Sequence, residues 1–181
     1  MKIGYLKQLC LVIIIFTLSL TNIQAARAEG LIGIGSYAPK FELIGFDNKS
    51  NSFKKFKLDD FLDSWIVLYF YPKDFTEGCT LEAKGFTSNL KKFRSLNVQV
   101  IGISADVIDD HKSFCTEEEL GYPLLSDQNG LVSRLYGSWI DPFSSRNTFL
   151  IDPTGKIRFR WIGVRPIHHA EEVLDKLSTM L

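Results

Sequence analysis

The strongest hydrophobic pattern in the chain is a continuous apolar run followed by apolar positions at helical spacing. The run Trp65–Tyr71 (WIVLYFY) predicts a central strand, Ile66–Tyr71, that is covered on both faces. The segment Val98–Ser104 predicts the next strand, and the helix between them should make the two strands parallel. That helix is predicted by five positions spaced four, three, four and three residues apart: Cys79, Ala83, Phe86, Leu90 and Phe93.

The rest of the chain predicts shorter elements of both kinds. Asp106, with Asp109 three residues later, is expected to cap a helix from Val107 to about Glu119. No internal repeat or linker interrupts the pattern, so we predict a single α/β domain. The other predicted elements are strands at Phe41–Ile44, Ser52–Leu58 and Pro123–Leu125, a helical turn at Leu58–Leu62, helices at Gly130–Tyr136 and Ile167–Leu181, and an antiparallel hairpin of Asn147–Asp152 with Ile157–Ile162.

Residues 1–28 have the composition of a secretory signal peptide. Lys2 and Lys7 give a positive start, Leu9–Leu20 is a short apolar run, and Ala26-Arg27-Ala28 is a cleavage motif. The alternative is an uncleaved anchor, but the run is shorter than the ~20 apolar residues that span a bilayer comfortably. We therefore predict cleavage near Ala28 and a mature domain over residues 29–181.

Cleavage would leave a mildly acidic domain with two cysteines. The chain has 21 basic and 21 acidic side chains, and the leader holds three basic ones and no acid, so 18 basic side chains remain. This balance predicts no nucleic-acid partner and no stable membrane association after cleavage. Cys10 is lost with the leader. Cys79 and Cys115 remain, and export allows them to pair as a static staple or as a working redox pair.

The surroundings of Cys79 favour the redox alternative. Pro72, Thr76 and Cys79 form the pattern P-x-x-x-T-x-x-C at a turn from strand to helix. Unpaired backbone N–H groups and the helix dipole favour an anion there, and the thiolate is the reactive form of cysteine. The Thr76 hydroxyl and the N–H groups of Gly78 and Cys79 are expected to face one small polar ligand.

Arg146 is a further candidate for this site. It precedes the predicted strand Asn147–Asp152, and a guanidinium beside the sulfur would favour the thiolate and orient a ligand oxygen. From the residues alone, however, an arginine at the start of a strand is usually just solvated.

A series of motifs runs in order from about Gly35 to the C-terminus. The motifs are Gly35–Pro39 (GSYAP), Leu68–Phe86 (LYFYPKDFTEGCTLEAKGF), Val100–Asp106 (VIGISAD), His111-Lys112, Tyr122–Asp127 (YPLLSD), Arg146–Phe149 (RNTF) and Leu150–Arg158 (LIDPTGKIR). This series resembles the peroxiredoxins, and most closely their peroxiredoxin Q (bacterioferritin comigratory protein) branch. The resemblance implies a thioredoxin-like fold, with a central mixed β-sheet flanked by helices, and a thiol peroxidase.

The same resemblance implies roles for individual residues. Cys79 matches the peroxidatic cysteine of the family, Pro72 and Thr76 match the loop around it, and Arg146 matches the arginine that completes the peroxide site. Many members of the branch carry a resolving cysteine five residues after the peroxidatic one, where this chain has Lys84. Others carry it on the following helix, and this implies that Cys115 is the resolving cysteine.

We draw two further expectations, one about the disulfide and one about Glu77. Disulfide formation between Cys79 and Cys115 should unwind the first turn of the helix at Cys79 and the helix around Cys115, because a disulfide needs a Cα separation of roughly 4.4–6.8 Å. Gly78 and Gly85 would ease this unwinding. Glu77 stands where a proline is common, and its charge is expected to weaken the activation of Cys79 slightly.

The resemblance predicts a catalytic cycle without metal, haem or flavin. Cys79 reduces hydrogen peroxide or an organic hydroperoxide, Cys115 forms a disulfide with it, and thioredoxin or a similar dithiol reduces the disulfide. The leader predicts a periplasm or thylakoid lumen as the compartment, and the branch suggests a monomer. Two alternatives stay open, namely a non-enzymatic domain with a structural disulfide and a peroxidase that uses Cys79 alone. A thiol–disulfide oxidoreductase is disfavoured because no C-x-x-C is present.

Other polar and aromatic residues receive structural interpretations. The three histidines lack ligand spacing, so His111, His168 and His169 are expected at the surface or in caps. Glu82 is expected to pair with a nearby cation or to be solvated. Trp139 and Phe143 are candidates for the mouth of the site.

Overall fold

The computed structural model describes residues 30–181, so the predicted leader 1–28, its cleavage site and Cys10 lie outside the described residues. The helices and strands follow one another as β1 (Glu42–Asp47), β2 (Ser52–Lys57), a 3-10 turn (Leu58–Phe61), β3 (Trp65–Phe70), α1 (Glu77–Ser95), β4 (Val98–Ser104), α2 (Ile108–Glu117), β5 (Leu124–Ser126), α3 (Leu131–Leu135), β6 (Trp139–Ile140), β7 (Phe143–Ser144), β8 (Asn147–Ile151), β9 (Ile157–Ile162) and α4 (His169–Ser178). None of the helices in residues 30–181 combines the length and apolar character that crossing a membrane requires.

Seven of the strands form one mixed sheet in the order β2-β1-β5-β4-β3-β8-β9, and β6 and β7 form a separate small hairpin. Strand β3 runs parallel to β4, as the βαβ pattern predicted, and antiparallel to β8 on its other side. The hairpin of β8 with β9 is also confirmed. The carboxyl end of β3 therefore lies beside the start of β8, where Phe70 is paired with Asn147.

Both faces of the central sheet are covered, which explains why β3 is apolar at every position. Val67, Tyr69 and Tyr71 pack on the face that carries α1, α2 and α4. Ile66, Leu68 and Phe70 point to the opposite face, in a core that includes Tyr136 and Phe149. Full burial of each such side chain stabilises the fold by about 1.5–3 kcal/mol, so the strand that leads into the site is firmly held.

The predicted cap of α2 is wrong. The N-cap residue is Val107, and no side chain caps this helix. The Asp106 carboxylate instead accepts hydrogen bonds from the Ser104 hydroxyl at 2.6 Å and from the Asp74 backbone N–H at 3.0 Å. Asp106 thus ties the end of β4 to the loop after β3 rather than starting a helix.

Candidate active site

Cys79 lies in the first turn of α1, where the chain passes from the buried strand β3 into a helix. Thr76 is the N-cap residue, with extended backbone angles, and its carbonyl accepts the N–H of Thr80 at 2.9 Å. The Cys79 side chain is almost entirely buried, at 2% exposure. The positive end of the helix dipole is therefore directed at a sulfur that is shielded from bulk water.

The side chain of Arg146 meets this sulfur from across the sheet. Arg146 immediately precedes β8, and the pairing of β8 with β3 brings it to the start of α1. Its Nη2 donates to Cys79 Sγ at 3.2 Å, and its Nη1 donates to Glu82 Oε2 at 2.6 Å. Cys79 and Glu82 are one helical turn apart, so a single guanidinium bridges both.

Glu82 is the buried counter-charge of this arginine. Its side chain is fully buried, and burial raises the pKa of the carboxyl to about 7 even though Arg146 opposes the shift. The pKa of Arg146 lies above its ordinary value. Burial alone would lower this pKa, but the attraction of the guanidinium to Glu82 and Cys79 outweighs the effect of burial. Glu82 is therefore paired with a cation, one of the two environments that the sequence predicted for it.

Gly78 allows Arg146 to approach the helix this closely. A Cβ atom at position 78 would lie 3.3 Å from Arg146 Nη2 and 3.5 Å from Pro166 Cγ. The first of these distances is tighter than an ordinary contact, and Arg146 is already held by two partners. The missing side chain thus leaves room for the guanidinium at the sulfur.

Thr76 and Pro72 lie in the loop that leads from β3 into the helix of Cys79. The Thr76 hydroxyl donates to the Lys73 carbonyl at 3.0 Å, and it makes no hydrogen bond to Cys79. Its oxygen keeps acceptor capacity, and the residue is exposed, so it is open to a ligand. Pro72 lines a shallow cavity of about 260 Å³ together with Val107 and Phe143. Phe143 belongs to the β6–β7 hairpin, which the sequence did not predict.

Cys115 lies on α2 and is completely buried. The pKa of its thiol is raised strongly, first by burial and then by the negative charge of Asp74. The Asn48 side-chain amide donates to the Cys115 carbonyl at 3.0 Å and to the Leu120 carbonyl at 3.1 Å, which anchors the end of this helix. Cys79 and Cys115 are both free thiols here.

A buried polar cluster joins the two cysteine-bearing segments, and sequence reasoning missed it. Asp74, in the loop before Cys79, lies 2.7 Å through Oδ2 from Nδ1 of His111, which is one turn before Cys115 on α2. The Tyr71 hydroxyl donates to the other Asp74 oxygen at 2.7 Å. The only available signal was spacing, because His111 shares the i, i+3, i+4 face of Phe114 and Cys115.

Two of the three histidines contradict the sequence prediction. His111 and His169 are fully buried, whereas His168 is exposed at the N-cap of α4. His169 Nε2 lies 2.9 Å from Thr148 Oγ1 on the neighbouring strand. Burial of an imidazole needs such partners, and one for each of these two, Asp74 for His111 and Thr148 for His169, comes from a residue distant in sequence.

Asp74, Asp106 and His111 also have donor atoms within 4.8 Å of one another, a grouping that could geometrically hold a metal ion. Hydrogen bonds already occupy these atoms, since Asp74 accepts from His111 and Tyr71, and Asp106 accepts from Ser104. The two carboxylates and Nδ1 of His111 are thus already engaged in hydrogen bonds.

Comparison with known proteins places this chain in a recognised family. A sequence profile described as the AhpC/TSA family matches residues 34–160. Peroxiredoxin Bcp of Bacillus subtilis is 34% identical over 157 residues, which covers 82% of this chain and 97% of that protein. A mitochondrial thioredoxin-dependent peroxide reductase of Drosophila melanogaster is 37% identical over 147 residues, covering 76% of this chain and 62% of the length of that protein.

Comparison with solved structures gives the same family as the sequence comparisons. A PrxQ mutant from Xylella fastidiosa superposes with a TM-score of 0.76 at 32% identity, covering 83% of this chain and 98% of that one, which confirms the thioredoxin-like fold. Peroxiredoxin Q of Xanthomonas campestris, at 28% identity, has been solved as two cysteine-to-serine mutants with TM-scores of 0.72 and 0.71, covering 77% and 78% of this chain and 90% and 92% of those structures. The two substituted cysteines are 36 positions apart, the same separation as that between Cys79 and Cys115.

Proposed function

Because this chain belongs to the AhpC/TSA family and is a thiol peroxidase, we propose that Cys79 is the thiol that reacts with the peroxide. The observation that supports this assignment best is the 3.2 Å contact from Arg146 Nη2 to Cys79 Sγ at the start of a helix. A guanidinium and a helix N-terminus both favour a thiolate, and the thiolate is the nucleophile.

In the first step the Cys79 thiolate attacks one oxygen of the peroxide. The S–O bond forms as the O–O bond breaks, the peroxide OH passes to the sulfur to give a sulfenic acid, and the other oxygen leaves as hydroxide or alkoxide, which takes a proton from solvent to become water or an alcohol. Arg146 and the backbone N–H groups of Gly78 and Cys79 face the charge that moves between the two oxygens. Thr76 binds the peroxide through its hydroxyl, and Pro72 shields the loop from water. Hydrogen peroxide and organic hydroperoxides both fit this chemistry.

In the second step Cys115 condenses with the sulfenic acid to give an intramolecular disulfide. Lys84 occupies the position five residues after Cys79, so no thiol is available there. The separation of 36 residues, shared with the two mutated cysteines of the Xanthomonas protein, supports Cys115 as the partner. A dithiol protein of the thioredoxin type then reduces the disulfide by exchange, and no metal, haem or flavin takes part.

We further propose that residues 1–28 direct export and are removed, and that the mature domain acts as a monomer in a periplasm or a thylakoid lumen. The composition of the leader supports export. Relatives named as chloroplastic peroxiredoxin Q, such as that of Suaeda salsa at 36% identity, support an organellar compartment. Mass spectrometry of the exported protein tests this: a mature form that begins near Glu29 is expected.

The test of the proposed function is peroxide consumption coupled to thioredoxin and its reductase. The proteins are the wild type, Cys79→Ser and Cys115→Ser, with hydrogen peroxide and an alkyl hydroperoxide as substrates. We expect turnover by the wild type alone. Undiminished turnover by Cys79→Ser would exclude Cys79 as the reactive thiol. Retained turnover by Cys115→Ser would favour a one-cysteine peroxidase, and an unreactive disulfide in the wild type would favour a structural staple.

A further inference from the structure

The buried pair of Asp74 and His111 has no part in the peroxide-binding step described above. Among the described residues, no hydrogen bond joins either of them to Cys79 or Arg146. Both side chains are buried, at 3% and 0% exposure, and Tyr71 packs with them at 1%. Buried polar groups destabilise a fold unless they are fully paired, so a group of this kind calls for a functional explanation.

The hydrogen bonds define which nitrogen of His111 carries a proton. Asp74 Oδ2 is an acceptor at 2.7 Å from Nδ1, so Nδ1 donates to it. The Tyr71 hydroxyl donates to Oδ1 of the same carboxylate. Nε2 is buried and has no hydrogen-bond partner among the described residues. In the neutral imidazole this Nε2 bears an unused lone pair, and a buried acceptor without a donor is tolerated more readily than a buried orphan N–H.

His111 and Cys115 are neighbours on the buried face of α2. They are four residues apart, which places their side chains one above the other on the helix. The Asp74 carboxylate is close enough to the sulfur to help raise the pKa of the Cys115 thiol, although burial is the larger cause. A thiol in this state is a weak nucleophile near neutral pH, so the resolving step needs a base beside it.

We propose that Nε2 of His111 accepts the thiol proton when Cys115 attacks the sulfenic acid of Cys79. The Cys115 sulfur forms the S–S bond, the S–O bond of the sulfenic acid breaks, and the departing hydroxide takes the proton back from His111 as water. Asp74 holds the imidazole in the tautomer that leaves Nε2 free, the division of labour seen in Asp–His–nucleophile triads. This inference rests on the proposed function, because it supplies the base for its second step.

The placement of the pair is compatible with movement of Cys115. Asp74 belongs to the loop that carries the peroxidatic site, and His111 is in the first half of α2, before Cys115. Unwinding of the second half of α2 would release Cys115 while the bond between Asp74 and His111 persists. The groups facing His111 are Tyr71 and Asp74, with Asp106 behind them accepting the Asp74 N–H. The base therefore stays attached to the loop towards which the thiol must move.

The experiment separates the two chemical steps in single-turnover reactions with one equivalent of hydrogen peroxide. A sulfenic-acid trap measures oxidation of Cys79, and mass spectrometry of quenched samples measures disulfide formation, both between pH 6 and pH 9. The variants are His111→Gln and Asp74→Asn, and His168→Asn is the matched control because His168 is exposed. Circular dichroism verifies folding, and Asp74→Asn, which preserves the size of the side chain, serves if His111→Gln does not fold.

We expect Cys79 to oxidise at the wild-type rate in both variants, and the disulfide to form about 100-fold more slowly in His111→Gln at pH 7, the usual effect of losing a general base. The rate in this variant should rise in proportion to hydroxide, whereas that of the wild type and of His168→Asn should level off. Disulfide formation at the wild-type rate or faster, or a slower rate with an unchanged pH profile, would overturn the inference and make the pair purely structural. Failure of the wild type to form a sulfenic acid would instead reject the proposed function.

Discussion

Nη2 of Arg146 donates to Sγ of Cys79 at 3.2 Å across 67 residues of sequence. The contact exists because β8 pairs with β3, so that the residue before one strand meets the helix that follows the other. Oε2 of Glu82 accepts a hydrogen bond from Nη1 of the same guanidinium at 2.6 Å, and this second bond fixes the plane of the guanidinium. The positive charge of Arg146 is thus positioned beside the sulfur by the central strands and by its buried counter-charge, Glu82 of α1.

Arg146→Lys tests whether the fork of the guanidinium is needed. A lysine has one nitrogen and cannot serve Cys79 and Glu82 together with the same geometry. We expect the second-order rate constant of Cys79 oxidation to fall by about 100-fold or more, as for the loss of a charge-stabilising donor. Stopped-flow fluorescence with hydrogen peroxide measures it. Arg158→Lys is the control, because Arg158 pairs with Asp152 at 3.2 Å on the β8–β9 hairpin. An equal loss in both variants would contradict the prediction.

Two glycines of α1 form a matched pair. At Gly78 an added methyl group would crowd Arg146 Nη2 at 3.3 Å, whereas at Gly85 it would meet only the Ala170 Cβ at an ordinary 3.7 Å. Replacing glycine by alanine inside a helix stabilises it by about 0.5–1 kcal/mol where space allows. Gly85→Ala should therefore raise the unfolding free energy in urea by that amount and leave the rate of Cys79 oxidation unchanged.

Gly78→Ala should lower the rate of Cys79 oxidation severalfold without a comparable loss of stability, because the added methyl group forces the Arg146 guanidinium to shift by a few tenths of an ångström. Stopped-flow oxidation and urea unfolding are run on both variants. Equal oxidation rates in the two would show that the approach of Arg146 does not depend on the missing side chain.

The elements of the fold were largely predictable from local patterns. Strand Val98–Ser104 and the second strand of the hairpin, Ile157–Ile162, were predicted to the residue, since alternation, apolar runs and turn residues act over short distances. The unpredicted strands β6 and β7 have two residues each. No period can be read from so short a segment.

The site was predictable in part. The position of Cys79 at a turn from strand to helix is a local property, and the structure agrees with it. The burial of His111 is not local, because it depends on a partner, Asp74, that approaches from another segment. A polar residue on a short helix was therefore interpreted as a surface residue. The cap predicted at Asp106 fails partly for the same reason, since one partner of its carboxylate, the Asp74 N–H, comes from a segment 32 residues away.

Glu82 should make the stability of the protein depend on pH. Its folded pKa is about 7 against an ordinary value of 4.5, so between these values the folded state holds a proton that the unfolded chain has lost. The contribution of Glu82 to stability should therefore decrease as the pH rises from about 4.5 to 7 and stay lower above it, by about 3 kcal/mol. Glu82→Gln cannot ionise and should lack this decrease. Urea unfolding at pH 5 and pH 8 measures it, with the exposed Glu117→Gln as the control. The same pH dependence in Glu82→Gln as in the wild type would contradict the assignment.

Lys84, five residues after Cys79, links α1 to the end of α2. Its Nζ lies 2.7 Å from Glu118 Oε2, at the end of α2, and its side chain is 59% exposed. Exposed ion pairs contribute about 0–1 kcal/mol to stability. If the pair restrains the approach of the two cysteines, Lys84→Gln should therefore accelerate disulfide formation by no more than about fivefold. Single-turnover mass spectrometry measures the rate, and the exposed Lys91→Gln is the control. A slower reaction in Lys84→Gln would mean that the pair promotes the approach of the two cysteines rather than restraining it.

Oxidation should unwind the ends of two helices. In the reduced protein Cys79 is buried in the first turn of α1, and Cys115 is buried on α2, where Asn48 holds its carbonyl. A disulfide requires Cα atoms roughly 4.4–6.8 Å apart, and we expect that the two buried sulfurs can meet only if both helices open locally. Hydrogen exchange followed by mass spectrometry should therefore show faster exchange in residues 76–83 and 112–118 of the disulfide form. Cys115→Ser treated with the same peroxide is the control, because it forms the sulfenic acid without the disulfide. Unchanged exchange in the wild-type disulfide would mean that both helices accommodate the bond as they stand.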